Sequence, residues 1–291
     1  MTENDQPHLD KGTSRRFQIS EWLLVAVLAY LFVTWLVFLL HDVRAWLPFV
    51  ATILSAETEV PFFFYHVFGE GGPTELVQWF TLGAAVIVCG YLYGREAANG
   101  QTARTRFFMF VATGLCLMLI EDAGNIRHHI SAFTTELSTY TRYANPVRIL
   151  TEFGVYALIG SLMVFPLLRY WRSLQLRGCI RFYILAGYLA YAAASILSAS
   201  RHIYEWYERV GETIIDHLPL ANPDIWMTTS VHLSERGLPT LGFWLMDYLM
   251  EESLELLAAS LLLAFFLSYK KSLKQPVLSA AKDLNVPTQK P

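Results

Sequence analysis

The chain has 291 residues, of which 54% are hydrophobic and only 16% are charged, and its formal net charge is −3. Soluble proteins average about a quarter charged residues, so this composition points to a lipid environment. The slightly negative charge argues against nucleic acid as a partner. Cys89, Cys116 and Cys179 are far apart in the sequence, which argues against a disulfide framework or a zinc knuckle.

Six stretches are long and apolar enough to be spans, since crossing a bilayer takes about 20 mostly apolar residues. They are residues 21–41, 76–94, 107–127, 148–169, 182–201 and 248–268. The first follows Arg15 and Arg16 as a signal peptide would, but its length and the lack of a small-residue cleavage site predict a retained anchor. Residues 46–56 and 61–68 are apolar but short, and are predicted to be interfacial or re-entrant pieces.

Basic residues set the predicted orientation of the six spans. Every lysine lies near one of the two termini, and the arginines of the loops after spans two and four fall on the same side. By the positive-inside rule that side is cytoplasmic. The sequence therefore predicts an all-α, polytopic membrane helical bundle with six transmembrane helices and cytoplasmic N and C termini. Residues 1–20 and 270–291 are predicted to be disordered tails of the transmembrane domain 21–269, whose outer segment 202–247 is partly helical.

Polar residues recur at helical spacing near the outer end of the third span. Glu121, Asn125 and His129 are four residues apart, and His128 lies seven residues after Glu121. In one continuous helix these side chains share a face. Asp122 is adjacent to Glu121, so the stretch predicts a helix end that combines carboxylates with imidazoles.

Three other spans direct polar groups toward the same outer half. On span six, Asp247, Glu251 and Glu255 form an i, i+4, i+8 row with Glu252 on its flank. On span four, Arg148 and Glu152 are four residues apart. On span five, polar residues at alternating steps of three and four form a single helical seam: Tyr188, Tyr191, Ser195, Ser198, His202 and Glu205. The helix of span five is predicted to continue out of the membrane through RHIYEWYERVGETIIDHL.

These carboxylates need compensation, because a charged group near the centre of a spanning helix costs about 2.5–3.5 kcal/mol. The acids within the spans are Glu121, Asp122, Glu152, Glu251, Glu252 and Glu255. The nearby arginines are Arg127, Arg148 and Arg201, which leaves three carboxylates over. Protons, imidazolium, water or a metal cation must meet that surplus.

Each kind of compensation predicts a different function, and three hypotheses stay open. A divalent Zn, Mn or Fe ion would make the site a metal-dependent membrane enzyme acting on a lipid or amphipathic substrate. Protonation would make it a proton- or cation-coupled transporter, although the inner halves of the spans have almost no ionisable residues. Ion pairs such as Arg148 with Glu152 and Arg201 with Glu205 would make the chain a non-catalytic scaffold or assembly subunit.

The residue types assign the candidate roles. Glu121, Asp122, Glu251 and Glu255 are the candidate catalytic acids and bases or carboxylate ligands. His128, His129, His202 and Glu252 are the candidate metal ligands. Arg148, Arg201, Glu152 and Glu205 are the candidate charge partners. The predicted partner is the lipid bilayer.

Three motifs resemble a loose group of uncharacterised bacterial multi-pass inner-membrane proteins. The acidic, glycine-containing turn GEGGPTELVQW, with Glu70 and Glu75, precedes the second span, and the pair Glu121–Asp122 closes the third. The stretch EESLELLAA on the last span is also similar. The resemblance covers residues 70–130 and 250–259. It implies a bacterial inner (plasma) membrane setting and carries no activity or substrate.

Overall fold

The computed structural model describes residues 19–47, 49, 60–138, 144–201 and 203–273, and within these residues the chain is helical without strands. The predicted tails fall almost wholly outside this part of the chain. The helices in chain order are α1 Ile19–Phe38 with a π-helical turn Leu39–Val43, α2 Phe63–Val67, α3 Pro73–Ala98, α4 Thr102–Ala123, α5 Ile126–Ser138, α6 Ala144–Leu174, α7 Gly178–Ser200, α8 Trp206–His217, α9 Pro223–Glu235, α10 Leu241–Trp244, a π-helical segment Leu245–Glu251, and α11 Glu252–Ser272.

Five helical stretches in the described residues are long and apolar enough to cross a membrane, and they coincide with the first five predicted spans. They are Ile19–Val43, Pro73–Ala98, Thr102–Ala123, Ile149–Leu174 and Gly178–Ser200. The helix α11, which carries Glu252 and Glu255, is not among them. The predicted all-helical fold with several apolar spans is therefore confirmed, and the sixth span stays a prediction.

The helix α11 is nonetheless the centre of the bundle. It packs against α1, α3 and α7, and most of its residues from Leu256 to Tyr269 are buried. Its contact with α7 is close because Gly187 has no side chain: a Cβ there would lie 2.9 Å from Cδ2 of Leu262. Small residues let helices approach in this way inside membranes.

At the end of α3, the start of α4 and the end of α11, the bundle has a continuous apolar core. We call this part the aromatic core; its rings are Phe107, Phe108, Phe265, Phe266 and Tyr269, all almost completely buried. Beside it, Arg104 pairs with the buried Glu96 at 3.6 Å. Phe107 and Phe108 pack edge to face and Tyr269 packs against Phe108 at a tilt, so large rings fill this half of the bundle.

The third span ends earlier than the sequence pattern indicates. The helix α4 stops at Ala123, Gly124 caps it, and Asn125 has φ +48° before α5 begins at Ile126. A left-handed residue cannot continue an α-helix, so Glu121 and His129 are on different helices. The predicted shared face of Glu121, Asn125 and His129 is therefore wrong.

The fifth span also ends in a break. The helix α7 stops at Ser200, and Tyr204 and Glu205 have φ +53° and +55° before α8 begins at Trp206. The predicted continuous helix through this stretch is wrong, because these two left-handed residues redirect the chain.

The helices α8 to α10, residues 206–244, fold back as a cap over one end of the bundle. Their tightest contact is between Gly211 and Gly242, where a Cβ on Gly211 would collide with the Gly242 carbonyl oxygen. Thr240 N donates to Oε1 of Glu208 at 3.2 Å across the same junction. The two glycines thus hold α8 against α10, which sets the position of Tyr207 on α8.

Candidate functional site

Carboxylates converge in a cavity of about 210 Å³, which we call the acidic pocket. Its acids come from the turn before α3, the end of α4, the π-helical segment and the start of α11. They are Glu70, Glu75, Glu121, Asp122, Asp247, Glu251, Glu252 and Glu255. Arg201 is the single cation among its described lining residues. The described walls of the pocket are therefore strongly acidic.

Gln78 on α3 holds two of these acids together. Its Nε2 donates to Oδ2 of Asp122 at 2.8 Å and to Oε2 of Glu255 at 2.6 Å, which uses both amide hydrogens. Trp79 Nε1 also donates to Oδ2 of Asp122, at 3.1 Å. These bonds fix the carboxylates of α4 and α11 side by side.

The wall under the cap is built from a second pair of contacts. Arg201 Nη1 donates to Oδ1 of Asp247 at 2.7 Å, and Tyr207 Oη donates to Oε2 of Glu251 at 2.8 Å. Burial and the neighbouring Glu251 carboxylate raise the pKa of Tyr207, so its hydroxyl stays protonated and remains a donor. The cap therefore orients one acid of the pocket directly.

Asp247 and Glu251 belong to the π-helical segment and not to a regular α-helix. Seven residues, Leu245–Glu251, adopt this wider helix, and most of them are buried. The regular four-residue row predicted for Asp247, Glu251 and Glu255 is therefore interrupted, because a π-helix has more residues per turn. Such segments are rare and occur often at functional sites.

A second cavity of about 300 Å³, the apolar groove, lies directly beside the acidic pocket. Most of its lining comes from α6 and α7, and Leu82, Met163 and Leu262 of the lining belong to the same apolar cluster as the aromatic core. Phe153, Val164 and Ile196 of the lining are exposed. Both α6 and α7 include candidate spans, so these exposed apolar side chains are suited to contact with lipid.

The acidic pocket and the apolar groove share a wall. Glu121, Asp122, Tyr156 and Glu255 line both cavities. At this junction several buried polar atoms have no hydrogen-bond partner among the described residues: Gln78 Oε1, Glu252 Oε2 and the hydroxyl of Tyr191. Buried polar atoms are usually bonded, so those without a partner need an explanation.

The structure brings together most of the predicted acids and one predicted cation. Glu121, Asp122, Glu251, Glu252, Glu255 and Arg201 all line the acidic pocket. Glu152 is fully buried and is not part of the described lining. Glu205 is exposed at the start of α8, whereas Arg201 pairs with Asp247.

Of the three predicted histidines, the structure describes the side chain of His129 alone. His129 is exposed on α5, beyond the break at Asn125. His202 lies outside the described residues, as do the side chains of His128 and Arg148. Among the residues that are described, no group of three or more His, Cys, Asp or Glu side chains could hold a metal ion. The predicted divalent metal thus has no geometric support in this part of the chain.

Several pocket residues escaped the sequence reasoning. Gln78, Trp79, Tyr156 and Tyr207 each line the pocket or bond one of its acids. A signal for Gln78 was present, because Thr74, Gln78 and Thr81 are polar residues at helical spacing on one face of the second span, and all three are buried. Tyr207 had no such signal, since its contact with Glu251 spans 44 residues.

No protein-family model, curated protein or solved structure matches this chain. Its class follows from its own fold: several apolar helices of spanning length are typical of a multi-pass integral membrane protein in contact with lipid. Within that class, this chain combines an apolar groove that has exposed apolar lining residues with an acidic pocket.

Proposed function

We propose that this chain is a six-span protein of the bacterial inner membrane, with cytoplasmic termini, that binds an amphipathic molecule. The polar head of that molecule lies in the acidic pocket and its apolar chain in the apolar groove. The sixth span is α11. Its position supports this, since it packs against α1, α3 and α7, all of which are candidate spans. The clustering of lysines at both termini supports the orientation.

The observation that carries the proposal is the shared wall of the two cavities. A lipid-like molecule needs an apolar channel and a polar site in direct continuity, and Glu121, Asp122, Tyr156 and Glu255 line both spaces. Ligand sites are mostly apolar cavities with a few placed polar groups. The exposed rim between α6 and α7 supplies a sideways route from the bilayer.

The bound head group would lie among the carboxylates of Glu121, Asp122, Glu251 and Glu255. Carboxylates within hydrogen-bonding reach of a ligand can donate or accept protons, so these acids are the groups through which the site would act on its ligand. We assign the bridged pair Asp122 and Glu255 the direct head-group contact, because both line the junction and Gln78 fixes them there. Binding of this kind needs no metal ion.

Two features of the described residues favour binding over the other hypotheses. A transport path would have to cross the aromatic core, where Phe107, Phe108, Phe265 and Phe266 are completely buried. A purely structural polar network would bond its own buried atoms. Here Gln78 Oε1 and Glu252 Oε2 have no partner among the described residues.

Photolabelling tests the proposal directly. Two probes with the same alkyl chain and a terminal diazirine, one with a hydroxyl head and one with an amine head, are reacted with the protein in nanodiscs. We expect at least one probe to label the part of the apolar groove away from the acidic pocket, around Met163 and Tyr188, and unlabelled amphiphile to compete this labelling away. Labelling by both probes that cannot be competed away would overturn the proposal.

Matched variants on α6 locate the labelling. Gly160 lines the apolar groove, and a Cβ added there would meet nothing within 4 Å, so Gly160→Phe fills the groove without a backbone clash. Leu158, on the same helix, is 63% exposed and is not a lining residue. We expect Gly160→Phe to abolish the competable labelling and Leu158→Phe to leave it unchanged. Equal labelling of the two variants would place the probe elsewhere.

A further inference from the structure

We infer that the head group of the bound amphiphile is a primary ammonium. This inference rests on the proposed function and concerns the chemistry at the junction between the acidic pocket and the apolar groove. It names a class of ligand, a long-chain primary amine, and excludes anionic, neutral and quaternary head groups as favoured ligands.

The charge of the lining favours a cation. Eight carboxylates and one described cation, Arg201, line the acidic pocket. Arg201 is already held by Asp247 at 2.7 Å, on the side of the cap. A phosphate or sulfate head would add like charge to this cavity, whereas an ammonium would offset it.

The hydrogen-bonding state of the junction favours a head group with N–H donors. Gln78 is only 1% exposed, lines the apolar groove, and its Oε1 has no partner among the described residues because its amide hydrogens are used on Asp122 and Glu255. Glu252 Oε2 is likewise without a described partner. Both atoms are acceptors, and a primary ammonium has three donors.

These acceptors discriminate between kinds of cation. A quaternary ammonium has no N–H, so it cannot donate a hydrogen bond to the acceptor oxygens Gln78 Oε1 and Glu252 Oε2. An alcohol can donate one hydrogen bond but brings no charge. A primary ammonium combines a positive charge, which suits the acidic lining, with N–H donors for the acceptor oxygens.

Competition among four probes of equal chain length tests the inference. Dodecylamine, dodecyltrimethylammonium, dodecanol and dodecyl sulfate are titrated against the photolabelled site of the wild-type protein at neutral pH. We expect dodecylamine to displace the label at a concentration at least about tenfold lower than each of the other three, which corresponds to about 1.4 kcal/mol. Displacement by dodecanol or dodecyltrimethylammonium at the same concentration would overturn the ammonium inference while leaving amphiphile binding intact. Failure of all four would count against the proposed function itself.

Variants at the junction separate head-group recognition from folding. Glu255→Gln and Gln78→Met keep the approximate size of the side chain. The first removes a charge, and the second removes an acceptor together with the amide bridge to Asp122 and Glu255. We expect each to reduce the advantage of dodecylamine over dodecanol by about tenfold. Glu235→Gln, on the exposed end of α9, is the matched control and keeps the full advantage. If Glu255→Gln fails to fold, Gln78→Met carries the test; an unchanged advantage in the folded variants would overturn the inference.

Discussion

The aromatic core and the acidic pocket are built on the same helices but have opposite compositions. In the aromatic core, the described side chains are large, buried and apolar, and the nearby acid Glu96 has a cation, Arg104, at 3.6 Å. In the acidic pocket, carboxylates outnumber cations among the described lining residues, and part of the backbone is π-helical. Proteins depart from local folding rules at functional sites and compensate elsewhere. The aromatic core therefore stabilises a fold that the acidic pocket weakens.

The largest effect is expected in the aromatic core. Phe266→Ala removes a completely buried ring that packs near Phe108, and such truncations cost about 3–5 kcal/mol in unfolding free energy. Thermal unfolding of the detergent-solubilised protein would measure the loss.

Phe80→Ala provides the matched control for that measurement. Phe80 is on α3 and is 80% exposed, so its truncation leaves no cavity, and the unfolding free energy should change by less than about 0.5 kcal/mol. Similar losses in both variants would mean that the aromatic core is not the stabilising half.

An isosteric exchange of glutamate for glutamine should have opposite signs in the two halves. Glu96→Gln leaves Arg104 without its carboxylate and should lower the unfolding free energy by about 1–3 kcal/mol. Glu252→Gln replaces a carboxyl group among the other acids of the acidic pocket with a neutral amide of the same size and should raise the unfolding free energy by about 0.5–2 kcal/mol, as stabilising changes at functional sites often do. Paired unfolding curves of the two variants at neutral pH make the comparison.

A decrease in stability in both variants would remove the contrast. It would mean that Glu252 is compensated as fully as Glu96, and that the acidic pocket is a structural network. A higher unfolding free energy for Glu252→Gln together with weaker amine binding would strengthen the contrast. Glu252 would then lower the stability of the protein and increase its affinity for the ligand.

The smallest effect concerns the hydroxyl that reaches the pocket from the cap. Burial and Glu251 raise the pKa of Tyr207, so the folded protein keeps this tyrosine protonated where a free tyrosine ionises, near pH 10. Its contribution to stability is present below that pH and is lost as the pH rises toward the higher folded-state pKa. Ultraviolet titration of the folded protein to about pH 11 should give the same curve for wild type and Tyr207→Phe.

The denatured protein supplies the control for this titration. Every tyrosine is then exposed to solvent, so Tyr207→Phe should show one ionising tyrosine fewer than wild type. A loss of one ionising tyrosine in the folded Tyr207→Phe variant as well would show that the contact between Tyr207 and Glu251 is not buried.

Much of the fold was predictable because lipid imposes a simple rule on sequence. A spanning helix must bond its own backbone and be apolar over about 20 residues, so length and hydropathy identify it. Five predicted spans correspond in this way to apolar helices. The acids were also predictable as a group, because charge inside an apolar run is conspicuous and costly.

The breaks were not predictable from periodicity. Asn125 and Glu205 are residues that a regular helix accommodates, and only their positive φ values show that the chain turns at these points. The break at Asn125 removes His129 from the predicted face, and the break at Glu205 sends α8 back over the bundle. A helical wheel assumes that the helix is continuous, so it gives the wrong direction for the segments that follow Asn125 and Glu205.

By itself, the sequence determined the helical class, the apolar spans and the carboxylates that need compensation, because each depends on local composition and on the cost of charge in lipid. The tertiary structure decided which acids meet. Gln78 bridges Asp122 and Glu255 across 44 and 177 residues, and Tyr207 reaches Glu251 from the cap. Such contacts depend on where helices end and how closely they pack, and the residue spacing within a single segment determines neither.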